Sequence, residues 1–352
     1  MRRPGIPRSP WFRVTLVLPF FALSGLLIWW RGPDWGAVYH AFDFVEWRWI
    51  VVAVVLNLGS IVVRALAWQL VLGQALDPPL PRFRRTFSAF CVGLLGNAAL
   101  PGRVGELARV AVLRRTLPHG RGTSATLLGA VIAHRLFDLV PVAFLVLYVL
   151  STAQIPHWAM TSLLIVAILG AALFAFAIVS ARRHHRAVRY EMGRLRAVLS
   201  MARQGLLVMN RPVPAAGAIL CQTAGWLLQL AAVYTVMNAF DFGTVPEAAL
   251  VLLLMNVATI VPLWPGNFGL MQAAVALPLT RYGVAYSTGF AFGLALQGVE
   301  ASVGIGFGFV FLAREGLSFA TLRGMPDATG ELPDDEAEVD EEPARARAGV
   351  SG

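Results

Sequence analysis

Long runs of apolar residues constrain this chain more than any other feature of its sequence. A membrane core is about 30 Å thick, and a helix rises roughly 1.5 Å per residue, so about 20 apolar residues can cross it. Six runs meet or approach this length, at residues 14–30, 49–72, 123–150, 159–180, 213–237 and 285–312. The chain contains 57% hydrophobic and only 14% charged residues, and this composition excludes a soluble globular fold. The sequence predicts an all-α polytopic membrane protein with six spanning helices.

The distribution of arginine indicates how these helices are oriented. All 29 basic residues are arginine, since the chain contains no lysine. If residues 1–13 are cytoplasmic, 20 arginines outside the spans fall on the cytoplasmic side and three, Arg31, Arg48 and Arg281, on the other. This excess follows the positive-inside rule and predicts that both termini are cytoplasmic. Trp29-Trp30-Arg31 stands where a signal peptide would need small residues, so we expect an uncleaved first helix.

The composition also excludes several chemistries. Without lysine, neither a Walker A phosphate loop nor a Schiff-base mechanism is available. Cys91 and Cys221 lie in separate apolar runs without metal-ligand spacing, so we expect neither a disulfide scaffold nor a structural metal. No cofactor and no nucleic-acid partner is expected.

The carboxyl-terminal part of the chain differs sharply from the rest. Residues 327–352 contain nine acidic residues and two arginines, so the remaining 27 arginines and 11 acids give the body a net charge of +16. Large apolar residues are scarce in this segment. We therefore predict that 313–352 is cytoplasmic and ends in an acidic, disordered tail.

Two further apolar stretches do not fit simple spans. Residues 86–115 have arginines at both ends, and the arms on either side of Pro101-Gly102 would be only roughly 21 and 18 Å long as helices. Such a segment is predicted to enter the membrane, turn and leave on the cytoplasmic side. Residues 246–281 have the same form, with a break at 262–269, and enter from the opposite side. The sequence thus predicts two re-entrant helical hairpins.

The two hairpins belong to a predicted internal repeat. Both contain the pattern PGxxG, at 101–105 and 265–269, with an offset of 164 residues, and the runs at 49 and 213 begin with the same offset. The transmembrane domain, 14–312, then divides into halves at about 14–150 and 159–312. One half begins inside and the other outside, which makes them inverted copies. Inverted repeats with broken helices are typical of secondary transporters, whose substrate site lies between the halves.

Five ionisable residues fall where lipid would otherwise be. Arg103, Glu106 and Arg109 are spaced i,i+3 on one helical face, as are Arg135 and Asp138. Exposing all five to hydrocarbon would cost on the order of 12–17 kcal/mol, so we expect them to face one another or a wet cavity. Their net charge of +1, beside a helix amino terminus, suits a phosphodiester. The alternative is that these ion pairs only hold the hairpin against its neighbour.

Other polar residues in the apolar runs have simpler interpretations. Arg109 lies near enough to the cytoplasmic end for snorkelling to explain it, and Arg64 is interpreted as a snorkelling anchor. His134 is expected to be a packing residue rather than an acid or base. Glu300 lies 165 residues after Arg135 and could be its counterpart in the second half.

Two motifs resemble those of the lysylphosphatidylglycerol synthase transmembrane, or flippase-like, family. Residues 96–115 resemble the signature N-x-x-L-P-x-R-x-G-E-x-x-R, and 135–138 the R-x-x-D that follows it. Residues 262–269 resemble P-x-x-P-G-x-x-G, although Gln272 stands where an acid often follows. The filled positions of the first signature are Asn97, Leu100, Pro101, Arg103, Gly105, Glu106 and Arg109.

The resemblance implies a bacterial inner-membrane protein that moves phospholipid-like headgroups between leaflets. Members that synthesise aminoacylated lipid carry a soluble transferase domain after the membrane part, whereas a short acidic tail follows it here, so synthase activity is not expected. The substrate-binding residues would be Asn97, Arg103, Glu106, Arg109, Arg135 and Asp138. The hairpin breaks would be Pro101, Gly102, Gly105, Pro262, Pro265, Gly266 and Gly269.

The sequence therefore predicts a translocase of phospholipid or polyprenyl-phosphate-type lipids, with membrane lipids as its partners. The headgroup phosphate would bind Arg103 and Arg135, while Glu106 and Asp138 orient the arginines and Asn97 caps the broken backbone. One alternative is a membrane enzyme acting on a lipid phosphate, with Glu106, Asp138 or His134 as acid or base. Another is an accessory subunit of envelope synthesis.

Overall fold

The computed structural model describes residues 32–99, 104–117, 123–153, 212–259 and 267–316, with short helical pieces between 160 and 172. The regular elements in these ranges are all helical. Outside them lie the predicted first span at 14–30, the acidic tail and most of the predicted span at 159–180. The principal helices are α1 Trp35–Ala41, α2 Trp47–Ala75, α3 Phe83–Ala99, α4 Gly105–Arg114, α5 Thr123–Phe137, α6 Leu139–Thr152, α7 Pro212–Ala239, α8 Val245–Ala258, α9 Leu270–Leu279 and α10 Tyr286–Arg314.

Four of the predicted apolar runs form helices long enough to cross a membrane. These are α2, α7, α10 and the segment Thr126–Thr152, which combines most of α5 with α6. The all-helical class and the runs at 49–72, 123–150, 213–237 and 285–312 are therefore confirmed as long helices. The run at 123–150 is less regular than predicted, because a turn at Asp138 separates α5 from α6.

Local sequence signals explain where several helices begin. The Asp34 carboxylate accepts hydrogen bonds from the backbone N–H groups of Gly36 and Ala37, at 2.9 and 3.2 Å, and starts α1. Thr244 and Glu247 form a capping box at the start of α8. Pro212 is the first residue of α7, where a missing N–H leaves no hydrogen bond unmade.

The two long helices α2 and α7 pack against each other in opposite directions. The N–H of Glu46, before α2, donates to the carbonyl of Ala239, the last residue of α7, at 3.0 Å. Further along α2, Ser60 Oγ donates to the carbonyl of Gly225 at 2.8 Å. The contacts therefore run backward along α7 as they advance along α2, and the helices are antiparallel.

The helices α3 and α4 fold back on each other as a hairpin. Their outer ends are joined by a hydrogen bond from Arg85 Nη1 to the carbonyl of Thr116, at 3.2 Å. Near the break, the backbones of Gly93 and Gly105 approach so closely that a Cβ on Gly105 would overlap the carbonyl oxygen of Gly93. With 17 residues, α3 is longer than the predicted arm because it begins at Phe83, before the apolar stretch.

A second hairpin is formed by α8 and α9. The Asn267 side-chain amide donates to the carbonyl of Ala258, at 3.0 Å, and so ties the start of α9 to the end of α8. Helix α10 packs against both hairpins through glycines: Gly293 faces Gln272 of α9, and Gly308 faces Leu95 of α3. The apolar core is divided into two large clusters, one around α3–α5 and one around α6–α9, and a smaller third cluster where α1 meets α9 and α10.

Candidate substrate-binding cavity

A polar cavity of about 360 Å³ lies between the two hairpins. The middle parts of α2, α7 and α10 form its walls, and the end of α3, the end of α8 and the residues before α9 reach it from the hairpins. Its position at mid-length of long apolar helices places polar groups far from the helix ends. The polar lining residues are Asn57, Ser60, Arg64, Asn97, Arg135, Gln229, Asn256, Thr259, Asn267, Gln297 and Glu300.

Two of the residues predicted to bind substrate, Asn97 and Arg135, line this cavity. Asn97 Oδ1 accepts a hydrogen bond from the N–H of Gly105 at 3.0 Å, so the predicted contact between Asn97 and the broken backbone is present. Arg135 Nε donates to Glu106 Oε1 at 2.9 Å, and its side chain remains 45% exposed. Arg135 is therefore fixed in place while part of its guanidinium faces the cavity.

Glu106 and Arg109 lie behind Arg135 rather than in the cavity wall. Arg109 Nη2 is 2.7 Å from Glu106 Oε2, and its side chain is only 3% exposed. Its guanidinium stacks over the rings of Trp68 and Phe90, with the carbon atom 4.7 and 5.5 Å from their centroids. The snorkelling interpretation of Arg109 is wrong, because the side chain turns into the protein and stacks there.

The carboxylate of Asp138, at the turn between α5 and α6, accepts hydrogen bonds from side chains of α2, α5 and α7. Arg64 Nη2 lies 3.0 Å from Oδ1, Trp226 Nε1 donates to the same oxygen at 2.7 Å, and Gln222 also donates to it. Arg135 Nη1 lies 3.4 Å from the second oxygen. A buried carboxylate with this many donors remains stable as an anion, and it joins α2, α5 and α7.

The sequence analysis did not predict the cavity positions of Arg64, Gln229 and Glu300. Arg64 was expected to snorkel, and this expectation is wrong: besides Asp138, it contacts Gln229 Oε1 through Nη1 at 3.2 Å. Gln229 in turn donates to Glu300 Oε1 at 3.1 Å. The available signal was the position of Arg64, well inside an apolar helix of 29 residues, where an unpaired arginine is costly.

At its break, the second hairpin carries polar but uncharged side chains in the part that the structure describes; the carboxylate of Glu247 lies at the other end of α8. Gly269, with a φ of +86°, donates its N–H to Gln272 Oε1 at 2.6 Å and so starts α9. Gln272 Nε2 donates to Gln297 Oε1 at 2.5 Å, which links the hairpin to α10. A positive φ strains any residue with a Cβ, so glycine at 269 fits the predicted break.

Several predicted residues cannot be placed. Arg103 lies outside the described residues, as do five predicted break residues, Pro101, Gly102, Pro262, Pro265 and Gly266.

His134 lies within the described part and is buried with its ring against Phe90, at 5.9 Å between centroids, away from the cavity lining. This agrees with its interpretation as a packing residue. Among the described residues, no group of three His, Cys, Asp or Glu side chains could hold a metal ion.

Long apolar helices that surround a cavity lined by charged and polar side chains are typical of a multi-pass membrane protein. The chain belongs to the family described as the lysylphosphatidylglycerol synthase TM region, whose family model matches residues 14–308. It is also 25% identical over 297 residues to a UPF0104 membrane protein of Methanothermobacter thermautotrophicus, covering 75% of this chain and 83% of that protein. No solved structure matches the chain.

Proposed function

We propose that the protein binds the phosphate-bearing headgroup of a phospholipid or polyprenyl-phosphate-type lipid in this cavity and moves it across the inner membrane. The observation that carries the proposal is Arg135, a partly exposed guanidinium held by two carboxylates in the wall of a cavity midway along the apolar helices. Arginine binds phosphate through a planar array of donors, and it is costly inside a membrane unless it has a function or a partner.

The net charge of the ion-pair network beside the cavity suits a ligand with a single negative charge. In the described ion-pair network, Arg64, Arg109 and Arg135 face Glu106 and Asp138, which leaves one positive charge. The volume of about 360 Å³ is at the lower end of the range for small-ligand cavities and suits a headgroup whose acyl or prenyl chains remain in lipid.

Transport requires that the cavity open to each side in turn. The antiparallel packing of α2 and α7, and a cavity lined by residues of both hairpins, support an arrangement of inverted halves with six spans and re-entrant hairpins. In such folds one half rocks against the other around a central site. Movement of the halves would expose Arg135 first to one leaflet and then to the other.

The ion pairing and burial of the candidate acids and bases favour binding and transport over catalysis. Glu106 and Asp138 each form ion pairs with two arginines, and His134 is buried against Phe90 outside the cavity lining. None of them is placed to exchange a proton with a ligand in the cavity. Conversion of purified lipid by the protein in detergent, where translocation has no meaning, would instead establish an enzyme.

The test is headgroup translocation by the full chain reconstituted in vesicles, with Arg135→Ala and Arg103→Ala as test variants. Arg115→Ala, an exposed arginine after α4, is the matched control. We expect the Arg135 variant to translocate about 10–100-fold more slowly, because a hydrogen bond to a charged group is worth about 1.5–3 kcal/mol. Wild-type rates in both test variants, at normal expression, would remove the proposed site.

A further inference from the structure

Glu300 differs from Glu106 and Asp138, the two carboxylates of the described ion-pair network. It lies in the middle of α10 and lines the cavity, whereas Glu106 and Asp138 lie behind the cavity wall. Those two carboxylates each contact two arginines, but in the described part of the chain no arginine nitrogen lies within ion-pair distance of Glu300. Its hydrogen bond comes from a neutral group, the side-chain amide of Gln229, at 3.1 Å.

The direction of the Gln229 amide is fixed by its two neighbours. Arg64 can only donate, so Gln229 must present its oxygen to Arg64 and its nitrogen to Glu300. A carboxylate and a neutral carboxylic acid can both accept this hydrogen bond. The second oxygen of Glu300 can therefore gain or lose a proton without disturbing the contact between Gln229 and Arg64.

The charge of the cavity depends on whether Glu300 carries a proton. Among the described residues, the charged groups that face it across the cavity are Arg64 from α2 and Arg135 from α5. The other described polar groups there, from α2, α3, α7, α8, α10, the residue after α8 and a residue before α9, are neutral amides and hydroxyls. With Glu300 ionised, its negative charge cancels the single excess positive charge of the described network. With Glu300 protonated, that positive charge is available to an anionic ligand.

We propose that Glu300 is the site of a proton that binds together with the anionic headgroup. A phosphate placed against Arg135 repels an ionised Glu300, so it favours uptake of one proton from water onto the carboxylate. By linkage, protonation of Glu300 must increase headgroup affinity by the same factor. A proton would then accompany the headgroup through the transport cycle and leave when the headgroup leaves. This inference rests on the proposed function, since it needs an anion in the cavity.

Proton uptake during binding provides a direct test. The full chain in detergent would be mixed, in weakly buffered solution with a pH indicator, with water-soluble dihexanoyl phosphatidylglycerol, a phosphodiester with one negative charge. We expect uptake of up to about one proton per bound lipid and an affinity that increases as pH falls. Glu300→Gln should still bind this probe but take up no proton, and its affinity should not vary with pH.

Control variants separate this role from a structural one. Glu46→Gln removes an exposed carboxylate before α2, outside the cavity, and should behave as wild type. Glu300→Asp keeps the acid and should keep the proton uptake, which also tests the inference if Glu300→Gln does not fold. Binding without proton uptake by the wild type, or unchanged uptake in Glu300→Gln, would overturn the inference alone. Absence of binding by the wild type would overturn the proposed function and this inference with it.

Discussion

Ser60 in α2 donates its hydroxyl hydrogen to the backbone carbonyl of Gly225 in α7, at 2.8 Å, across 165 residues of sequence. The same offset separates Arg64 from Gln229, which are also joined by a hydrogen bond. In two copies related by a two-fold axis, a residue touches its own counterpart only near the axis. The offset of these contacts is one residue more than the predicted repeat offset of 164, so each residue contacts the neighbour of its counterpart. The contacts therefore support the proposed inverted repeat, with an axis between α2 and α7.

The first prediction concerns the close approach of α3 and α4. Replacing Gly105 by alanine would force its Cβ against the carbonyl oxygen of Gly93 and the side chain of Asn97, and backbone cannot yield as a flexible side chain can. We expect a loss of stability of about 1–3 kcal/mol, measured as a lower thermal unfolding midpoint in detergent.

Gly298→Ala in α10 is the matched control for this substitution. Its Cβ would have nothing within 4 Å, and alanine favours a helix over glycine by about 1 kcal/mol, so the midpoint should stay unchanged or rise. Equal midpoints for Gly105→Ala and the wild type would show that the two hairpin arms are not in backbone contact.

Substitution of Trp226 tests the anchoring of Asp138. Trp226→Phe keeps the ring in its place but removes the Nε1–H that donates to Asp138 Oδ1 at 2.7 Å. Because this acceptor is a buried carboxylate, we expect a loss of about 1–3 kcal/mol in the free energy of unfolding. Trp47→Phe, which changes a 61% exposed ring, should have little effect. If both variants unfold alike, the indole N–H of Trp226 does not stabilise Asp138.

Much of the fold and part of the site could be predicted from the sequence, for physical reasons that differ between residues. Apolar run length alone predicts α2, α7 and α10, because the thickness of a membrane sets the length of a span. Arg135 and Asn97 could be predicted because a polar residue in an apolar segment needs a partner or a cavity, and both belong to local motifs.

The roles of Arg64, Trp226 and Glu300 could not be predicted in the same way. Arg64 and Trp226 meet Asp138 only because α2 and α7 cross beside the turn between α5 and α6, and the sequence separations are 74 and 88 residues. Helical periodicity shows which residues share a face but not which helix that face meets. Glu300 lines the cavity because α10 packs against both hairpins. The spacing of glycines in the sequence does not specify this packing.

The ion pair of Arg64 and Asp138 predicts non-additive mutational effects. Arg64→Met leaves Asp138 with Arg135 at 3.4 Å as its remaining arginine, and we expect it to lower the free energy of unfolding by about 3 kcal/mol. Asp138→Asn removes the uncompensated charge, so the double variant should be more stable than the sum of the two single effects. Thermal or denaturant unfolding of the four proteins measures this difference. Additive effects would show that the pair is not coupled, and Arg48→Met, an exposed arginine, should change little.

The last prediction concerns the ends of the first hairpin. Arg85 donates to the carbonyl of Thr116, so the start of α3 and the end of α4 must lie at one surface of the protein. Single cysteines at Arg84 and Arg115, in a background where Cys91 and Cys221 are replaced by serine, should both react with a membrane-impermeant maleimide from the cytoplasmic side. A cysteine at Tyr39, 71% exposed in α1, should react only from the opposite side, because a spanning helix, α2, separates it from α3. Labelling of Arg84→Cys and Arg115→Cys from different sides would mean that the α3–α4 segment crosses the membrane, and the two hairpins could then not meet at a central cavity from opposite surfaces.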